Sequence, residues 1–143
     1  MPTSSRFAVA VHLLCGLAFL EKSLGRGATS ADLARSVNTT PVVVRRLLGI
    51  LSRAGFVEGR GGRSGGYGLA RDPAKIRLDA VLAAVEPDGV LALHENPANR
   101  ACTVSCGIKP VLGGVFADAE RALHASLKRT TLADVLHQVE AAD

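Results

Sequence analysis

The 143-residue sequence predicts a mainly α-helical fold carrying one small β-hairpin. Three observations lead there. Apolar residues recur at helical spacing along most of the chain. Two short helical segments separated by only three residues run at once into a pair of alternating stretches around a glycine-rich tip. The last third holds an amphipathic run long enough for one extended helix. With 48% apolar residues and regular Gly, Pro and charge punctuation, the composition is globular, and the length suits one compact domain plus an accessory element. The expected division is a helix-turn-helix with its hairpin over 1–88, a cysteine-containing loop over 89–110, and a long helix with a closing helix over 111–143.

The first element is "FAVAVHLLCGLAFL", Phe7 to Leu20, behind Arg6. The apolar run is too short to span a bilayer, and "EKSLGRG" offers no small-residue cleavage pattern. A buried helix of a cytoplasmic protein is expected, with no membrane partner. An odd number of cysteines, three, also argues against a secreted disulfide framework. Next, "ATSADLARSV" starts a helix at Thr29 or Ser30, with Ala31, Leu33, Ala34 and Val37 as its apolar face. After "NTT" comes "PVVVRRLLGILSRAG", where Thr40 suits the N-cap, Pro41 the first helical position and Gly55 the stop. Val44, Leu47, Leu48 and Leu51 mark the core-facing stripe of this second helix.

"FVEG" and "GYGLAR" then read as two short strands around "RGGRSG". The tip lacks the Gly-Lys-Ser/Thr of a phosphate-binding loop and leads into a strand instead of a helix, so nucleotide binding is discounted. A hairpin directly after a helix-turn-helix is the wing of a winged helix, a DNA-binding arrangement. Charge agrees. Residues 1–75 carry eleven Lys/Arg against four Asp/Glu, a formal +7, whereas residues 76–143 carry six against nine, a formal −3. Four Phe, one Tyr and no Trp leave little for base stacking, so duplex rather than single-stranded nucleic acid is expected. The expected contacts are Thr39, Thr40, Val42, Arg45 and Arg46 from the second helix, which would meet bases and phosphates in a major groove. Arg60, Arg63, Ser64, Gly65 and Tyr67 of the wing would follow the backbone or enter a minor groove, the glycines permitting close approach to phosphates.

The stretch from "SSRFAVAVHLL" through "ATSADLARSVNTTPVVVRRLLGILSRAGFVEGRGGRSGGYGLARDPAKIRLDAVLAAVE" resembles the Rrf-type winged-helix regulators, which include bacterial iron-sulfur cluster, nitric-oxide and cysteine-metabolism repressors. Gly65, Gly66 and Tyr67 closing the wing, and a short helix from about Leu78, are its most specific parts. The resemblance implies a dimeric transcription factor, usually a repressor, with a long dimerisation helix and often a cysteine-based sensor.

In "KPVLGGVFADAERALHASLKRTTLADVLHQVE", Leu112, Phe116, Ala119, Leu123 and Leu127 form a continuous stripe, widened by Val115 and Ala122, and are expected to make a homodimer. Relatives that hold an iron-sulfur cluster have three cysteines in the preceding loop. This chain has two, Cys102 and Cys106, so His94 or a residue of a partner subunit would have to complete the set. Arg6 stands where nitric-oxide-responsive relatives have an acidic ligand, which a guanidinium cannot replace. A thiol switch is the simpler alternative: the two cysteines lie in a loop bounded by Pro97 and Pro110, with Arg100 and Lys109 nearby to favour thiolate. Inert packing thiols are the third possibility, and Cys15 is expected to be a core residue. No cofactor is expected, with the cluster as alternative.

Taken together the sequence predicts a cytoplasmic, homodimeric regulator of operator DNA, a repressor by resemblance, responsive to redox state if Cys102 and Cys106 act as a switch. No motif calls for an enzyme. The alternative is a protein-interaction module that keeps the winged fold without binding an operator.

Overall fold

The computed structural model describes residues 4–62 and 65–142. Among these lie, in order, α1 (Arg6–Leu24), α2 (Ser30–Val37), α3 (Pro41–Arg53), β1 (Val57–Gly59), β2 (Tyr67–Leu69), a 3₁₀ turn (Pro73–Lys75), α4 (Leu78–Val85), α5 (Thr103–Leu127) and α6 (Leu132–Ala141). The fold is the expected mainly helical one with a two-stranded antiparallel sheet, in which Val57, Glu58 and Gly59 face Leu69, Gly68 and Tyr67.

The core assembles on α1. Ala10, Leu13, Leu14 and Leu17 are completely enclosed, and α2, α3, α4, α6 and β2 all pack against this helix. The helix runs four residues past the apolar stretch that suggested it, to Leu24, and ends on Gly25 in the left-handed conformation (φ 65°). At 19 residues it is long and apolar enough to pass as a membrane span on length and composition, contrary to the estimate from Phe7–Leu20 alone. In the fold Ala10, Leu13, Leu14 and Leu17 of this helix are enclosed, while Phe19 and Leu24 are 57% and 41% exposed.

Both helices of the helix-turn-helix begin where their caps say. Thr29 Oγ1 accepts from the Asp32 N–H at 3.0 Å while the Asp32 carboxylate accepts from the Thr29 N–H at 2.9 Å, closing a capping box on α2. Asn38, at φ 66°, ends α2, and Pro41 occupies the first turn of α3 behind Thr40. Val44, Leu47, Leu48 and Leu51 are all buried, as their spacing requires.

The sheet has an addition that the sequence did not reveal. Ala28 exchanges both backbone hydrogen bonds with Tyr67, at 3.0 and 2.8 Å, so the α1–α2 connection pairs with the wing root as a one-residue third strand. Two glycines make the approach possible. A Cβ at Gly66 (φ 88°) would stand 2.6 Å from the Ala28 carbonyl oxygen, and one at Gly27 would meet the Gly65 carbonyl oxygen.

The C-terminal part departs from the expected boundaries. α5 starts at Thr103 rather than at 111, and Pro110 lies inside it. A proline removes one N–H and crowds the preceding turn, yet here the helix continues through it, so the loop ends at Cys102. The closing helix α6 is not a separate appendage either: Leu132 is fully buried in the same core as α1, and Leu132 N–H donates to Ile76 O at 2.8 Å.

Among the described residues Asp32 is the one buried charged side chain. Its carboxylate accepts from Arg26 at 2.9 Å and from Arg35 at 2.7 Å besides the Thr29 N–H. Arg26 first, and then the hydrogen bonds to Thr29, hold its pKa down to about 2 against the opposing effect of burial. A depressed carboxyl stabilises the fold above its unfolded value near 4, and that contribution disappears as pH falls toward 2. Asp32→Asn should therefore cost about 1–2 kcal/mol at neutral pH, seen as a lower Tm. The gap between the melting curves of variant and wild type should close between pH 4 and 2; a gap unchanged over that window would assign the loss to packing instead.

Candidate nucleic-acid interface

With Val44, Leu47, Leu48 and Leu51 turned inward, the opposite side of α3 is fixed. Val42, Arg46, Gly49 and Arg53 follow one another at i, i+4, i+7 and i+11, forming a solvent-facing line with a gap at the glycine. Val42 is 57% exposed, and the neighbouring Val43 is 41% exposed. Arg45 and Arg46 are exposed. Arg45 reaches the Ser30 hydroxyl at 3.5 Å, and among the described residues Arg46 and Arg53 form no ion pair. Thr39 is half-buried at the turn. Thr40 serves chiefly the helix, its Oγ1 accepting from the Val43 N–H at 3.5 Å. Val43 is exposed beside this face although the sequence reading did not name it; the signal was its position outside the buried stripe.

The wing differs from expectation in its arginine. Arg60 does not extend from the tip. Its guanidinium lies back over Gly68, giving Nε to Glu21 Oε1 at 2.8 Å, Nη2 to Glu21 Oε2 at 3.3 Å and to Leu69 O at 3.2 Å, and Nη1 to the Glu58 carboxylate. The Glu21 hydrogen bond, above all, raises its pKa further above the guanidinium's ordinary value. Tyr67 is likewise a root residue, packed against the core and paired through its backbone with Ala28. Gly65 donates to Gly62 O at 3.2 Å within the tip turn. Arg63 and Ser64, the remaining expected contacts, lie outside the described residues. The glycines divide accordingly. Gly27, Gly66 and Gly68 serve close packing inside the protein, whereas a Cβ at Gly59, Gly61 or Gly62 would meet nothing within 4 Å. Gly59, Gly61 and Gly62 thus leave backbone open on the hairpin.

None of the residues of α5, all of them described, is buried. The stripe named from sequence is split. Leu123 and Leu127 line a cavity of about 220 Å³ together with Phe7, Leu82, Glu86 and Val90 of the same chain. The strongly exposed apolar side chains are instead Val104, Val111 and Val115, at 68%, 64% and 55%, with Leu112 and Phe116 half-buried and Ala119 exposed. Glu120 fastens the segment ahead of α5, accepting from the Val90 and Leu91 N–H groups at 2.7 and 2.8 Å.

Cys102 is the N-cap residue of α5 and Cys106 lies in its first turns. Both are free thiols; Cys106 Sγ contacts Asn99 O at 3.6 Å. Lys109 is engaged with Asn96 O at 2.7 Å. Among the described residues no three His, Cys, Asp or Glu side chains converge to hold a metal, so the two thiols find no third ligand in His94. This donor set does not fit an iron-sulfur cluster within one chain. Cys15 differs: burial pushes its thiol up to about 11, as suits a residue packed against the core. Arg6 forms a two-pronged ion pair with Glu86, at 2.7 and 3.1 Å.

Comparison with known proteins agrees with this geometry. Residues 3–138 match the Rrf2 family, described as iron-dependent transcriptional regulators. The chain is 38% identical over 137 residues, 95% of its length and 98% of the relative's, to YwnA of Bacillus subtilis (strain 168), a protein assigned to the HTH-type transcriptional regulators. Its fold is similar to that of IscR from T. potens (TM-score 0.73, 22% identity, 100% of this chain and 91% of the other). It is also similar to CymR, the global cysteine regulator of B. subtilis (TM-score 0.67, 20% identity, 96% and 98% covered). The match over residues 3–138 and the 38% identity to YwnA along nearly the whole of both chains place this winged helix-turn-helix in the Rrf2 family of transcriptional regulators.

Proposed function

We propose that the protein is a cytoplasmic homodimer that seats α3 in the major groove of operator DNA, lays the hairpin tip on the adjacent backbone, and represses by occupying the site. The observation that carries this is the line Val42, Arg46, Gly49 and Arg53 on the solvent side of a helix whose other side is locked in the core. It belongs to the half of the chain with formal charge +7, which suits a polyanionic partner. Homodimerisation is supported by α5, whose exposed valines would otherwise face water. A two-fold dimer sets two recognition helices about 34 Å apart, one turn of DNA.

Arg46→Ala tests the groove assignment by gel shift over a salt series on a duplex that the wild type has selected from a random pool. Loss of preference at one base pair per half-site, costing about 1–3 kcal/mol, means a guanine contact. Uniform weakening with a log-log salt slope lower by about one per subunit means a phosphate. Unchanged affinity removes α3 from the groove.

Val111→Glu tests the dimer. It should yield monomers by sedimentation at micromolar concentration with the circular dichroism of the wild type, because Val111 touches no core of its own chain. Dimers of wild-type strength would move the interface off α5.

The thiol pair supports redox control of the same helix. Cys102 caps α5 and its carbonyl accepts from the Cys106 N–H at 3.1 Å, so a bridge between the two thiols would act directly on the first turn of the helix. Mild oxidation should therefore change operator affinity reversibly in the wild type and leave Cys102→Ser/Cys106→Ser unaffected. An equal response from both proteins would place the sensor elsewhere.

A further inference from the structure

We infer that Glu21, Arg60 and Gly68 form a latch that sets the angle of the wing, making Glu21 a positioning residue for DNA binding although it touches no DNA. The inference rests on the proposed DNA-binding role of α3 and the wing.

Arg60 is the residue at which the hairpin leaves its ladder: its N–H donates to Gly66 O at 2.8 Å, the last backbone bond before the tip. A guanidinium has five N–H donors. Four are used here, two on the Glu21 carboxylate in a forked arrangement, one on Leu69 O and one on Glu58. The Arg60 side chain is 30% exposed and that of Glu21 35%, so the pair is partly shielded from solvent. With two carboxylates around one guanidinium, the cluster carries a net charge of −1 and offers no attraction to a phosphate. Gly68 is the third part, since a Cβ there would overlap the guanidinium.

Glu21 belongs to α1, the helix against which α3 also packs. The wing root is thus tied to the common base at two points, the Ala28–Tyr67 backbone pair and the Arg60–Glu21 fork. The second engages Arg60, the residue one step beyond the Gly59–Tyr67 pair toward the tip, through a guanidinium folded back over Gly68. One attachment permits the hairpin to rock about it; two fix its direction relative to the recognition helix.

The latch makes a prediction opposite in sign to simple electrostatics. Glu21→Gln removes a negative charge, which would tighten binding to a polyanion if charge alone mattered. As a latch mutation it should weaken binding about tenfold. Arg60→Lys keeps the charge but loses the fork, and should weaken binding to a similar extent; a phosphate contact would tolerate lysine. The double variant should bind no worse than either single one, because the same linkage is broken once. Affinities are read by fluorescence anisotropy on the duplex that the wild type selects, with thermal melting of each free protein to separate unfolding from wing displacement; Gly68→Ala serves as a third variant that alters no charge and should match the other two. Equal or tighter binding by Glu21→Gln, together with wild-type affinity for Arg60→Lys, would overturn the latch and return Arg60 to the phosphates. Failure of the wild type to select any duplex would instead overturn the DNA-binding reading itself.

Discussion

Enclosure of Leu13, Leu14 and Leu17 of α1 is the constraint on which the other elements depend. α3 meets that surface with Val44, Leu47, Leu48 and Leu51, and a helix can satisfy such a stripe in one rotation only. Turning α3 by a single residue, roughly 100°, would expose leucines and bury Arg46. The direction in which the outward arginines point is therefore a by-product of core packing, with no separate interaction needed to aim them. The wing obeys the same helix at its far end, where Glu21 and the Gly27–Ala28 segment receive it. α3 and the wing are held in mutual register because both pack against α1.

Much of this was legible in the sequence because its causes are local. The start of α2 follows from Thr29 and Asp32 three residues apart, the start of α3 from Thr40 and Pro41, and the buried face of α3 from its own spacing. The hairpin was legible from two apolar stretches around glycines. What escaped was long-range or too short to have a period. Arg60 has the composition of a free cation at a flexible tip; only its contact with Glu21, 39 residues earlier, makes it part of the scaffold. The third strand is a single residue, Ala28, so alternation has nothing to act on. Glycine alone does not say whether it admits a ligand or the protein's own backbone, and Gly66 and Gly62 differ in that respect with the same φ of 88°.

In α5 the difficulty was of another kind. An amphipathic stripe states that a face will be covered but not by what. Leu123 and Leu127 are answered by Phe7 and Leu82 of the same chain, while Val104, Val111 and Val115 are not answered within it. Pro110 did not end the loop as expected: it lies inside α5, with seven helical residues before it, where it forgoes one backbone hydrogen bond without ending the helix.

The return of the chain to its core through Leu132 has a consequence for synthesis. α5 departs after α4 and comes back at Thr130, whose carbonyl accepts from the Leu78 N–H at 3.0 Å, before Leu132 fills the space beneath α1. A nascent chain can form α2, α3 and the hairpin before Leu132 has been made, so the core built on α1 is closed only by a residue translated after α5.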